Sequence, residues 1–216
     1  MKSIAVILSG CGVFDGSEIH ESVLTMLALS QNNAEVQFFA PDELQPTVIN
    51  HMNGESKAEK RNQMEESSRI TRGKISPLSS ADASKLDALI IPGGFGAAKN
   101  LCDFAVKGSE CVINKELLSL VRQMHQQKKP LGLMCIAPVM LPKMLNTSVV
   151  LTIGNDSETI AQIEMMGGKH IKCAVDDIVI DEVNRVVTTP AYMLAQSISE
   201  ANTGINKLVK KVLEMA

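Results

Sequence analysis

An α/β fold of three layers is predicted, with helices on both faces of a mainly parallel sheet and an antiparallel hairpin at its C-terminal edge. Three observations predict it. Short runs that are apolar on both faces alternate with helical patterns along the chain, as in a buried parallel sheet with helical crossovers. The 216 residues, 45% of them hydrophobic, suit one domain whose core needs neither disulfides nor a metal. Near the C-terminus the pattern changes to two alternating runs about a polar turn.

In chain order, strands are expected over 4–8, 36–40, 86–91, 131–134 and 149–153, each bounded by turn residues. A helix over 17–30 is signalled by Asp15-Gly16-Ser17 and carries Val23, Met26 and Leu27. A second, over 114–127, places Leu117, Leu118, Val121 and Met124 at helical spacing and stops at Lys128-Lys129-Pro130. The last, over 193–215, buries a face of Ile205, Leu208, Val209, Val212 and Leu213. The hairpin spans 177–189 about Glu182-Val183-Asn184. Residues 53–80 mix both charge signs with few apolar anchors. They read as a solvated surface helix, or else as an insert covering a site or a subunit contact. No repeat or linker divides the chain, so residues 1–216 form one domain.

Composition excludes several functions. Six aromatic residues, five Phe and Tyr192, are too few for a base-stacking surface, and a net charge of −3 without a basic block argues against nucleic acid or an anionic membrane. No apolar run reaches the roughly 20 residues of a membrane span. Residues 1–8 read as a first strand and not as a signal peptide, so a cytoplasmic setting is expected. The five cysteines, Cys11, Cys102, Cys111, Cys135 and Cys173, include no C-x-x-C pair and are expected as reduced thiols.

In open α/β sheets ligands sit beyond the carboxyl ends of the strands, and three such ends are chemically loaded. After strand one, Gly10-x-Gly12 opens a dinucleotide pattern, but Asp15 stands where its third glycine belongs. A nicotinamide or flavin cofactor is therefore not expected. Just beyond, Glu18 and Glu21 share a helix face at i, i+3 spacing while His20 points elsewhere. Either glutamate alone could simply be favourable charge at a helix N-terminus. After strand three, Pro92-Gly93-Gly94-Phe95-Gly96 leaves backbone N–H groups free, either as a tight turn or as anion-stabilising donors. It lacks the Gly-Lys-Ser/Thr of a Walker loop. After strand four, Cys135 stands at a strand-to-helix junction, with Ala137-Pro138 opening the helix. That is the place of a nucleophile elbow, where a helix N-terminus is expected to lower the thiol pKa. Cys11 is its one rival; Cys102, Cys111 and Cys173 read as packing.

The segments SGCGVFDGSEIHES, IPGGFGAAKN, GLMCIAP and VVTTPAYM together resemble the ElbB-type proteins. These are named for enhancing lycopene (isoprenoid) biosynthesis and belong to the PfpI-like, class I amidotransferase-like superfamily. The resemblance covers nearly the whole chain. It implies a flavodoxin-like sandwich, a homodimer, and an elbow cysteine beside a glutamate. It also implies a glyoxalase that needs neither glutathione nor a cofactor and converts a small dicarbonyl, glyoxal or methylglyoxal, to glycolate or lactate. The same chemistry could serve as a deglycase, and an isoprenoid-linked role is the older description.

Carried over residue by residue, Cys135 is the nucleophile, Glu21 its partner with Glu18 as runner-up, and the N–H groups of Gly94 and Ile136 the oxyanion donors. Glu21 is expected to have a raised pKa and to be largely protonated. Protease-like relatives place His directly after the nucleophile, where this chain has Ile136. Glutaminases use a His-x-Glu pair, whereas here His170 is followed by Ile171 and Lys172. The four histidines therefore read as structural. The alternative is a non-catalytic redox-sensing or partner-binding protein, because a fold does not fix a function.

Overall fold

The computed structural model describes residues 1–216. Nine strands form, β1 (Ser3–Ile7), β2 (Glu35–Ala40), β3 (Ser76–Pro77), β4 (Ala88–Ile91), β5 (Leu131–Met134), β6 (Val150–Leu151), β7 (Lys169–His170), β8 (Val179–Asp181) and β9 (Val186–Thr189). The eight α-helices are α1 (Ile19–Gln31), α2 (Gln63–Thr71), α3 (Phe95–Lys99), α4 (Phe104–Lys107), α5 (Lys115–Gln126), α6 (Leu141–Leu145), α7 (Ser157–Met165) and α8 (Ile198–Met215). Seven strands make one sheet in the order β3-β2-β1-β4-β5-β9-β8. Every neighbouring pair in it is parallel except β8 with β9, which form the expected antiparallel edge hairpin.

Strand alternation divides the core in two. Ile4, Val6, Ala88 and Ile90 point to the layer of α1 and α8, where Leu24, Ala28, Ile205, Leu208 and Val212 meet them. Ala5, Ile7, Leu89 and Ile91 point to the opposite layer, against Leu117, Val121 and Met124 of α5. Both faces are covered, so these strands read as unbroken apolar runs. Gly132 breaks the run in β5 because α8 lies so close. A Cβ there would stand 2.9 Å from the side chains of Leu208 and Val212.

One expected strand is displaced. Of residues 149–153 only Val150–Leu151 is a strand, and it lies outside the main sheet, pairing with β7. The place beside β5 belongs to β9, which runs parallel to it from Leu131↔Val186 to Met134↔Thr189. Val149, Leu151 and Ile153 are nevertheless fully buried, so their apolar pattern is that of a sheet strand. Side chains of the hairpin take donors that a ladder would have used: Val150 N–H donates to Asp181 Oδ2 and Thr152 N–H to Thr188 Oγ1. Periodicity reports burial and leaves the partner strand unspecified.

Helix starts also shift. Glu18 caps α1, so the helix opens at Ile19, and Ser197 caps α8 at Ile198. Within 53–80 the helix is α2. Residues 53–60 are exposed, but α2 buries Gln63, Glu66, Ser67, Ile70 and Thr71. Ser67 Oγ accepts from Gly10 N–H at 2.8 Å, so this segment braces the first glycine loop and is more than a solvated face. All five cysteines are free thiols. No helix is long and apolar enough to cross a membrane.

Candidate active site

The strand order places β1, β4, β5 and β9 side by side, so their carboxyl ends converge on one crevice. It lies where the chain has wound outward from β1 in both directions, the switch point of an open α/β sheet. A surface groove lined by Met1, Lys2 and the end of α8 opens at the amino ends of the strands, away from this chemistry.

The loop after β1 is stitched to the loop after β4. Glu18 N–H donates to Gly93 O at 3.0 Å, Phe95 N–H to Val13 O at 2.7 Å, and Gly96 N–H to Gly16 O at 2.9 Å. Gly94, at φ +89°, leaves no room for a side chain, since a Cβ would sit 2.4 Å from Glu18 N and Gly16 O. These contacts bring the first turn of α1 against the end of β4.

Cys135 follows β5 at φ +59°, a left-handed conformation unfavourable for a non-glycine residue, and donates its N–H to Thr189 O at 3.0 Å. That strained turn lifts the side chain off the end of the strand, as an elbow does. Cys135 is 7% exposed, and the backbone N–H groups of Gly94 and Ile136 favour the ionised form of its thiol. Gly93 makes the approach possible, because a Cβ there would lie 2.3 Å from Cys135 Cβ and 2.8 Å from Sγ.

Glu21 completes the arrangement. It is fully buried, its Oε2 accepts from Gly93 N–H at 2.7 Å, and its Oε1 accepts from Tyr192 N–H at 3.1 Å. Its Oε2 and Cys135 Sγ each lie 2.8 Å from where a Gly93 Cβ would stand, so carboxyl and thiol are neighbours across Gly93. Burial, and then the charge of Glu18, raise its pKa to about 7 against the pull of those two N–H donors. The rise was expected, and at about 7 it brings the carboxyl's proton exchange close to neutrality. Glu18 serves the helix instead, its Oε2 accepting from Glu21 N–H at 2.7 Å as the cap of α1. The two glutamates that the sequence left as alternatives are thus one thiol partner and one cap.

The expected depression of the Cys135 pKa is overturned. Burial, and next the Glu21 charge, push the thiol well above its ordinary range, and the Gly94 and Ile136 donors only moderate this. After Cys135 comes a 3-10 turn, Ala137–Met140, and then the five-residue α6, not a long helix whose dipole could outweigh desolvation. Two acids in one dry site cannot both ionise, so the pair carries at most one negative charge near neutrality.

Cys11 lies apart, half-buried against α2 beside Glu66, Arg61 and Arg69, and burial raises its pKa too. Cys102 and Cys111 are buried within the α5-side core. His51 accepts from Phe14 N–H through Nε2 at 3.1 Å, bracing the first loop, and His170 Nε2 accepts from Ile153 N–H at 3.2 Å. His125 sits in the last turn of α5. No group of three or more His, Cys, Asp or Glu side chains is disposed to hold a metal. What the sequence reasoning missed is Tyr192, whose N–H holds Glu21 and whose hydroxyl hydrogen-bonds exposed His20 Nδ1 at 2.8 Å. Its signal was present in VVTTPAYM, directly after β9.

A cysteine at a left-handed elbow over a parallel sheet, with a glutamate from the first helix beside it, is the arrangement of a class I amidotransferase-like protein. No family model matches the chain. The solved isoprenoid biosynthesis protein with amidotransferase-like domain from Ehrlichia chaffeensis superposes with a TM-score of 0.94. It is 37% identical, over 100% of this chain and 99% of that one. DJ-1beta of Drosophila melanogaster shares the fold alone, at TM-score 0.59 and 17% identity over 100% and 95% of the two chains. The human glutamine amidotransferase-like class 1 domain-containing protein 3, mitochondrial, is 46% identical over 98% of this chain and 82% of its own length. The mitochondrial ES1 protein of Danio rerio is 34% identical over 99% and 86%. The chain belongs to the ES1 family, which includes the ElbB-like proteins.

Proposed function

We propose that the protein is a cofactor-independent glyoxalase acting on a small dicarbonyl. The observation that carries this reading is the buried juxtaposition of Glu21 Oε2 and Cys135 Sγ across Gly93, with the N–H groups of Gly94 and Ile136 favouring the thiolate. In its ionised form Glu21 takes the thiol proton as Cys135 sulfur bonds to an aldehyde carbon, giving a hemithioacetal. The alkoxide that forms is held by the same two N–H groups and receives the proton back. Glu21 then removes the hydrogen from the former aldehyde carbon, and an enediol forms. Protonation at the neighbouring carbon yields a hydroxyacyl thioester. Water cleaves the thioester, releasing glycolate or lactate and restoring the thiol. The carbonyl oxidised and the carbonyl reduced belong to one molecule, so no external redox partner is required.

The same sulfur could attack dicarbonyl adducts on proteins, which would make the activity a deglycase. A homodimer is proposed as well, supported by an exposed stripe on α1. Ile19, Val23 and Leu27, at i, i+4 and i+8, are 42%, 47% and 48% exposed, a face that a second copy would cover; sedimentation tests it. Five free thiols suit a reducing compartment such as the cytoplasm. Fractionation is the test, since the human and rat relatives are named as mitochondrial.

The deciding experiment is turnover of glyoxal and methylglyoxal by the protein and by Cys135→Ala, followed through the hydroxy acid. Acid formation lost only in the variant supports the glyoxalase. Alkylation of Cys135 without any acid product would replace it by the redox-sensing or partner-binding reading.

A further inference from the structure

The turn after β9 grips α1 through one residue. Tyr192 donates its backbone N–H to Glu21 Oε1 at 3.1 Å, and its hydroxyl hydrogen-bonds Nδ1 of His20 at 2.8 Å. Tyr192 therefore holds two successive residues of the first turn of α1, one inside the site and one at the surface. The two rings stand 5.7 Å apart, tilted by 48°. The remaining hydrogen bonds of the turn close on the turn itself: Met193 N–H donates to Pro190 O, and Leu194 and Ala195 N–H to Ala191 O. Ala191, fully buried, sits at φ +44°, a backbone region unfavourable for alanine.

We propose that the His20–Tyr192 hydrogen bond is a latch that positions the Glu21 carboxyl for proton exchange with Cys135. Both residues are positioning residues. The latch rests on the reading of Glu21 as proton acceptor for Cys135, and it does not depend on which substrate the thiol attacks.

The groups facing Glu21 are Glu18 from its own helix, the Cys135 thiol from the elbow, and the N–H donors of Gly93 and Tyr192. Those two donors favour its ionised form, whereas burial and Glu18 oppose it. Burial, and next the charges of Glu18 and Glu21, raise the Tyr192 phenol, so its hydroxyl stays protonated beside them. Opening the latch lets the strained turn relax and lengthens the Tyr192 N–H bond to Glu21. The carboxylate then loses part of its support and ionises at higher pH. His20 is exposed and its bond sits at the surface, so the fold should tolerate the loss.

The test is iodoacetamide alkylation of Cys135, read on its own peptide by mass across pH 5 to 9. Tyr192→Phe keeps the ring and the backbone N–H, and His20→Ala removes the other partner. Each should move the rise of reactivity near pH 7 upward by about half a unit to one unit, with the melting temperature little changed. The double variant should shift no further than either single one, and His20→Asn, whose amide replaces Nδ1, should restore most of the wild-type curve. Glu21→Gln is the reference: it removes the carboxyl that titrates near pH 7 and the charge that holds the thiol up, so the thiol's own titration should replace that rise. If Glu21→Gln alters the curve while Tyr192→Phe and His20→Ala leave it in place, or if their shifts add, the latch is wrong and the Glu21 reading stands. If Glu21→Gln itself leaves the curve unchanged, the proton-acceptor reading falls and the latch with it.

Discussion

Glu21 Oε2 and Cys135 Sγ each lie 2.8 Å from where a Gly93 Cβ would stand, inside a site where Glu21 has no exposed surface. The residues are far apart in the chain, one on the first helix and one beyond β5. They meet because Gly93 stands between them without a side chain. The pair gives up its first proton near pH 7, from the Glu21 carboxyl, while the thiol keeps its own.

Cys135→Ala should abolish dicarbonyl turnover, by about a thousandfold or more, as loss of a nucleophile does. Cys11→Ala should retain most activity, since Cys11 lies against α2 and outside the Glu21–Cys135 pair. Steady-state rates with glyoxal compare them, and equal losses in the two variants would contradict the assignment of the nucleophile.

Glu21→Gln should cost about a hundredfold or more in kcat, the range of a positioned proton carrier. In the wild type kcat/KM should rise with pH through about 7, as the Glu21 carboxyl becomes the ionised acceptor. Glu18→Gln removes a like charge and so should move that rise to lower pH. It should also weaken the α1 cap by about 1 kcal/mol. A rise that moves upward in Glu18→Gln would show that its charge does not act on Glu21.

Stability should fall as pH rises. The folded-state pKa of Glu21, about 7, lies above the ordinary value of 4.5, so between these values the folded protein holds a proton that the unfolded chain has released. The stabilisation is complete below about pH 4.5 and is lost as pH climbs through 7, a change of about 3 kcal/mol for this group. Denaturant unfolding between pH 5 and 8 measures it. Glu21→Gln should flatten this dependence, and an unaltered slope would place the pH sensitivity elsewhere.

Gly93→Ala should lose activity and destabilise the fold by about 1–3 kcal/mol, because its Cβ would overlap Cys135 Cβ at 2.3 Å. Thermal unfolding with a parallel activity assay tests this. A stable, active variant would mean that the elbow can move away from β4.

Much of this architecture is legible locally. The runs at 4–8, 36–40 and 131–134 correspond to β1, β2 and β5 within a residue, because the sheet buries β1 and β5 on both faces and the end of β2. Residues 149–153 carry the same burial pattern, yet their donors go to Asp181 and Thr188 side chains, which no periodicity encodes. Cys135 is legible as an elbow from the strand before it and Pro138 after it. Its protonation is not, because desolvation depends on what else closes around the thiol.

The sequence by itself determined the fold class, the edge hairpin, and the three loops whose residues meet at the strand ends. Apolar alternation and glycine or proline punctuation act over a few residues and can be read there. Only the tertiary structure decided that Glu21 faces the thiol while Glu18 caps the helix. It also decided that burial outweighs the helix end at Cys135, and that Tyr192 reaches back across 171 positions to hold Glu21. The reason is physical: pKa and hydrogen-bond partners belong to the enclosure formed when distant segments pack, and that enclosure does not exist in any single stretch of chain.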